Sequence, residues 1–184
     1  MLPLALLAIA IVGGFFMYRR STQPTPLPPA EMTDEHIRQG WRKLGFYCEM
    51  DNQKRLWTLT GSRAGLLYFP DLLQGYINDP ANAEDGKHAH YGPYGTLEVK
   101  TWPDAGFDAN SIRGSLMDLT RLAELVEGKL AFAQPGEPIR IREEFAPGSA
   151  YSLQLDVRAD GFDPSTADGE RLGAVQKDTG SKAK

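Results

Sequence analysis

Cysteine occurs once in these 184 residues, at Cys48. An intrachain disulfide framework is therefore excluded, and a hydrophobic core must hold the fold. Histidine is nearly as scarce, with three copies. The sequence contains no HExxH, no CxxC, no GxSxG elbow and no phosphate-binding loop, so no established catalytic or cofactor motif is present and no cofactor is expected. Positive charge is in deficit, with 20 Lys and Arg against 24 Asp and Glu. Setting aside residues 1–30, which hold Arg19 and Arg20 but no acid, leaves 18 against 24, a net charge of −6. A surface of that sign is poorly suited to phosphates, so no nucleic-acid partner is expected. It suits a basic protein partner, and it also favours solubility.

Long apolar runs are missing except in one place. Residues 2–18, LPLALLAIAIVGGFFMY, carry no charge. As a helix these 17 residues reach about 25 Å, the short end of what spans a bilayer core. A cleaved signal and a buried core helix are rival readings. The apolar run continues past Gly13-Gly14, against cleavage there, and a linker isolates the segment from any core. The preferred reading is a single transmembrane anchor within residues 1–20. Arg19 and Arg20 at its C-terminal end place the bulk of the chain on the cytoplasmic side. Residues 21–30, STQPTPLPPA, hold four prolines and should form an extended spacer. Ala10 and Gly14 have the small-xxx-small spacing that permits helix pairing, which keeps an envelope structural protein among the alternatives.

A globular α+β domain is expected over residues 31–163. Thr33 reads as an N-cap, with Ile37, Trp41 and Leu44 on one helical face and Gly45 as the stop. Apolar stretches around Asp51–Lys54 read as a hairpin. Ser62 should cap a second helix reaching Ile77, kinked or broken by Pro70. Residues 96–102, 139–144 and 151–158 alternate as half-buried strands, with a turn at Pro147-Gly148. Ser115 should cap a third helix, its apolar stripe running from Leu116 through Leu119, Leu122, Ala123 and Val126 to Leu130. The expected fold is an antiparallel sheet with about three helices mainly on one face. An Asx-type turn at Asp163-Pro164-Ser165 should end the last strand, and residues 164–184 should form a disordered tail.

A shift of 53 residues lays residues 61–77 on residues 114–130. Five positions are identical, including Gly61 with Gly114 and Ser62 with Ser115. Strand-like sequence precedes both Gly-Ser corners. A ββα unit used twice and followed by a final strand pair would account for the match.

The densest chemistry is KHAHYGPYG, residues 87–95. On a strand, His88 and His90 project to one side and could share an ion. Asp85, Glu84, Cys48 or His36 would have to complete such a site, which would support a metal-dependent hydrolase. The reading preferred is a recognition surface. Glycines and proline would shape a loop presenting His88, His90, Tyr91 and Tyr94, with Trp102 ending the next strand. The expected function is then a membrane-anchored, non-enzymatic protein-binding domain that sequesters or neutralises a basic partner. Its general build is shared by many bacterial binding domains, some of which neutralise toxins.

Overall fold

The computed structural model describes residues 33–169. The apolar run, the proline spacer and the last fifteen residues of the chain lie outside the described residues, so the anchor and spacer expectations are not tested by it. Among the described residues, no helix is long and apolar enough to cross a membrane.

The chain opens with α1 (Asp34–Leu44). The Thr33 side chain accepts the His36 amide at its start, and Gly45, at φ 85°, ends it. Ile37 and Trp41 are buried, as their spacing requires. Strands β1 (Tyr47–Asp51) and β2 (Leu56–Ser62) form the expected hairpin, and Asp51 accepts the amides of Gln53 and Lys54 in its turn. The next helix is broken into α2 (Arg63–Leu66) and α3 (Tyr68–Ile77). Pro70 explains the break. It sits in the first turn of α3, where its missing N–H costs nothing, and its ring would clash with the Leu66 carbonyl of a continuous helix.

After a short 3-10 turn at Pro80–Asn82 come β3 (His88–Tyr91), β4 (Leu97–Thr101), β5 (Gly106–Phe107) and β6 (Ser111–Gly114). Helix α4 (Leu116–Ala131) follows, with a complete capping box between Ser115 and Asp118. Its predicted stripe from Leu119 to Leu130 is buried, while Leu116 is only half-buried. Strand β7 (Pro138–Arg140), α5 (Arg142–Phe145) and β8 (Ser152–Arg158) complete the regular elements. The strand expected over 139–144 is therefore half strand, half helical turn. Its buried residues, Ile141 and Phe145, are four apart, a helical spacing hidden behind the alternation of IRIREE.

The fold is α+β, but the single antiparallel sheet expected from the sequence is not what forms. There are two four-stranded mixed sheets, ordered β1-β2-β8-β7 and β3-β4-β6-β5. In both, the central pair is parallel and the outer pairings are antiparallel. Alternation shows which side chains of a strand face the core. It does not show which strand lies alongside, so the parallel centres were invisible in it.

The two sheets are built to the same register. Leu59 faces Leu155 in the first, and Ile112 faces Val99 in the second. Two residues on, Gly61 faces Val157 and Gly114 faces Thr101. Ser62 and Ser115 then cap helices with backbone angles of −63°, 161° and −60°, 162°. On the other hairpins, Gly86 (φ 86°) donates to the Thr101 carbonyl and Gly136 (φ 93°) to that of Val157, both at 2.9 Å. Each half of the chain thus runs hairpin–helix–hairpin. Each sheet takes the first hairpin of one half and the second hairpin of the other. Helices α3 and α4 pack against each other, and Leu66, Phe69 and Leu73 share one core with Leu119, Leu122 and Val126. Fully burying a side chain of this size contributes roughly 1.5–3 kcal/mol.

Helices do not keep to one face. Cys48 and Leu59 point into the core, so Tyr47 and Thr60 lie on the opposite face of the first sheet. Both are nonetheless buried. Trp41 of α1 packs edge-on against Tyr47, with ring centroids 4.9 Å apart. A 3-10 helix at Pro164–Asp168 packs against α1, β1 and β2. This corrects the boundary drawn after Asp163: Pro164, Ser165 and Asp168 are buried, and the ordered domain includes them. The Asx-type turn is present, with Asp163 accepting the Ser165 amide.

Candidate functional site

The five residues expected to form a recognition surface separate into two groups. Strand β3 pairs with β4 so that His88 faces Lys100 and His90 faces Glu98. Residues two apart share a face, which puts His88, His90, Glu98, Lys100 and Trp102 on one side of the second sheet. Across the parallel junction, Lys100 faces Arg113 of β6. The imidazole rings of His88 and His90 stand edge-to-face, 5.4 Å apart, and both residues are exposed. Lys100 Nζ lies 4.2 Å from the Trp102 ring centroid, a cation–π contact that leaves the indole 38% exposed. Glu98 lies 4.0 Å from His90 Nε2. Arg113 pairs with Asp108 at 3.3 Å and donates to the Asp104 carbonyl. Gly106 on β5 allows that guanidinium to lie flat against the strand, because a Cβ there would come within 3.1 Å of it.

Tyr91 and Tyr94 do not join this face. Tyr91 alternates to the core side with Ala89, and burial, helped by Tyr76 and Asp79, pushes its phenol up to about 12. Tyr94 turns towards α1. It holds φ 62°, an uncommon conformation for a residue with a side chain, and its hydroxyl donates to Asp168 at 3.4 Å. The loop carrying it is clamped to the same helix: Pro93 lies so close to Gly40 that a Cβ on that glycine would sit 2.8 Å from the proline ring, and Gly92 abuts Trp41 and Leu44. The GPYG stretch is therefore a partly exposed strut joining the second sheet to α1, with Pro93 buried and Tyr94 40% exposed.

Asp168 is the residue the sequence reading missed, having been assigned to the tail. One carboxylate oxygen accepts the Trp41 indole N–H at 2.7 Å. The other is buried and has no hydrogen-bond partner among the described residues. No signal in the sequence separates Asp168 from its acidic neighbours. Its importance comes only from the long-range contact with Trp41.

Asp163 fastens the same 3-10 helix to α1. Arg42 donates to it at 2.8 Å and 3.0 Å, and this bond, with those from Ser165, holds its carboxyl down at about 2. A carboxyl lowered in the folded state stabilises above the unfolded value of about 3.9 and loses that contribution as pH falls towards 2. Because the side chain is 34% exposed, solvent screening limits the pair to about 1 kcal/mol. Asp163→Asn, which can still cap Ser165, should lower stability by about that amount at pH 7 and by much less near pH 2, where the carboxyl is about half protonated. Urea unfolding at the two pH values checks it.

As a metal centre the histidines lack company. Among the described residues, no three His, Cys, Asp or Glu side chains converge as an ion would need. Cys48 is buried on β1 and His36 sits in the first turn of α1. The polar face instead offers flat aromatic area, cations and hydrogen-bonding tips on rigid strands. No protein-family model, curated protein or solved structure matches the chain.

Proposed function

We propose that this chain is a membrane-anchored, non-enzymatic protein-binding domain whose contact surface is the outward face of the second sheet. The observation that carries the reading is the exposure of His88, His90 and Trp102 on one face of adjacent strands, with half-buried Lys100 between them. Aromatic and cationic side chains held by a sheet present contact area at little entropic cost. The first sheet provides a contrast. Its outward face is covered along β1 and β2 by α1 and the 3-10 helix, whereas among the described residues only a short turn precedes β5 and no helix lies over the outward face of the second sheet. The matched registers are, in this reading, a duplicated ββαββ unit, with α1 added to one half.

Residues 2–18 anchor the domain, the proline-rich stretch spaces it from the bilayer, and the arginines keep it on the cytoplasmic side. The acidic balance draws in a basic partner protein, which the domain sequesters or neutralises. The test uses the full chain in its own membranes, crosslinked and then captured. Trp102→Ser with His88→Ser should reduce the crosslinked partner at least about tenfold, a loss typical of hot-spot removal. Equal capture by wild type and variant would refute the assigned face. Release of the full chain by an alkaline wash without detergent would refute the anchor.

A further inference from the structure

β3 and β7 each open the second hairpin of their half, and among the described residues each is paired on one side only. Gly86 and Gly136 set their registers alike, so His88 stands where Pro138 stands and His90 where Arg140 stands. The Thr101 amide donates to the Lys87 carbonyl, which makes 87, 89 and 91 the positions bonded to β4. The backbone N–H and C=O groups of His88 and His90 therefore turn to the open side of β3. At the matching places β7 has a proline without an N–H and an arginine, two devices that keep a further strand from adding. β3 has neither.

The two rings on this edge are already set as ligands. His88 Nδ1 lies 3.2 Å from the Gly86 carbonyl oxygen, and His90 Nδ1 lies 3.2 Å from that of Gly95. A carbonyl only accepts, so each Nδ1 carries the proton and each neutral ring keeps a lone pair on Nε2. A carbonyl on Nδ1 is the usual means of orienting an imidazole that binds a metal through Nε2. His90 Nε2 meets the Glu98 carboxylate at 4.0 Å, too far for a hydrogen bond, and Glu98 puts negative charge beside the rings. Lys100, which faces His88, is drawn aside over Trp102. One chain brings two nitrogens, whereas a closed tetrahedral zinc site takes four.

We infer that His88 and His90 are half of a zinc site, completed by the same two residues of a second copy through antiparallel pairing of the two β3 edges. The edge is self-complementary. With a two-fold axis at Ala89, His88 of one copy lies opposite His90 of the other, and their outward backbone groups exchange both hydrogen bonds. Opposite residues share a face with Cβ atoms about 5 Å apart, so four imidazoles gather on the outward side of one continuous sheet. With every position filled by imidazole the site is structural. It uses histidines of the face proposed for the partner protein, but it rests on no property of that partner.

The test uses the untagged full chain in detergent micelles, with zinc chloride as the probe. Calorimetric titration should show one zinc for every two chains. His88→Ala and His90→Ala should each weaken binding at least about 100-fold, because each removes two of the four nitrogens. Both residues are exposed, so either variant should otherwise keep the wild-type amide spectrum. Ala89→Cys reports the pairing itself. The two-fold axis brings its two copies to about 4.5 Å at Cα, within disulfide reach. Zinc should therefore speed the crosslinking of two chains under mild oxidation at least about tenfold, and EDTA should abolish the gain. Cys48 is buried, so the crosslink reads position 89. The inference is overturned by an absence of saturable zinc binding, by one zinc per chain, by binding that neither histidine variant weakens, or by a crosslink indifferent to zinc.

Discussion

Trp41→Ala is expected to cost about 3–5 kcal/mol and to leave the domain largely unfolded at 37 °C. Three losses combine at this residue. The indole is fully buried, so truncation opens a cavity the size of the ring. Its edge-on contact with Tyr47 disappears. Asp168, one of whose oxygens is buried with no partner among the described residues, loses the 2.7 Å bond on the other. That leaves the buried carboxylate only the longer bond from Tyr94 at 3.4 Å, so most of its desolvation cost is uncompensated. Trp41→Phe separates the parts, since it keeps most of the ring volume and removes only the N–H donor. It should cost about 1–3 kcal/mol. Urea unfolding of both variants measures the difference. If Trp41→Phe matches wild type, the carboxylate is not held by the indole, and the packing of the C-terminal 3-10 helix on α1 is wrong as described.

The contact network around Trp41 also shows where sequence reasoning reaches and where it stops. That Trp41 is buried was legible from its spacing with Ile37 and Leu44, because a helix repeats its face every three or four residues. That it would be covered by residues 164–168 was not. PSTAD has no periodicity and few large apolar groups, and its burial rests on Asp163 reaching Arg42 and Asp168 reaching Trp41 across more than a hundred residues. The same limit governs the sheets. Leu97 and Val99 were assignable to the core, but the parallel pairing of β4 with β6 is a long-range choice with no local signature.

The candidate surface divides the same way. His88, His90 and Trp102 share a face because strand parity is local, and parity was enough to group the histidines. Tyr91 falls on the core side by the same parity. Tyr94 is exposed as expected but stands apart from the histidines, for a different reason. A Gly-Pro-Tyr-Gly loop announces special backbone geometry, but not the direction in which its tyrosine turns, and that direction is set by α1 and Asp168.

Gly65→Ala is the second large effect expected, a loss of about 3 kcal/mol at the upper end of overpacking. A Cβ at Gly65 would run into the carbonyl oxygen of Gly45, and both groups are backbone, so neither can swing aside. The corresponding alterations at Gly75 and Gly128 should do the opposite. Those glycines hold equivalent places near the ends of α3 and α4, and a Cβ on either meets nothing within 4 Å. Ala there should add up to about 1 kcal/mol, by removing glycine's entropy in a helix. The urea midpoint should fall for the first variant and rise for the other two, with the slope unchanged in all three. The contrast explains a departure between the halves. Gly65 sits where the second half has Asp118, three residues past the capping serine, and Asp118 completes a capping box. The first half forgoes that box because α1 ends against it, and the second half keeps it because no helix precedes β5. Gly65→Asp, which would restore the box on paper, should therefore destabilise at least as much as Gly65→Ala. A stable Gly65→Asp domain would mean that α1 does not close on the start of α2, and the asymmetry between the two sheets among the described residues would lose its structural cause.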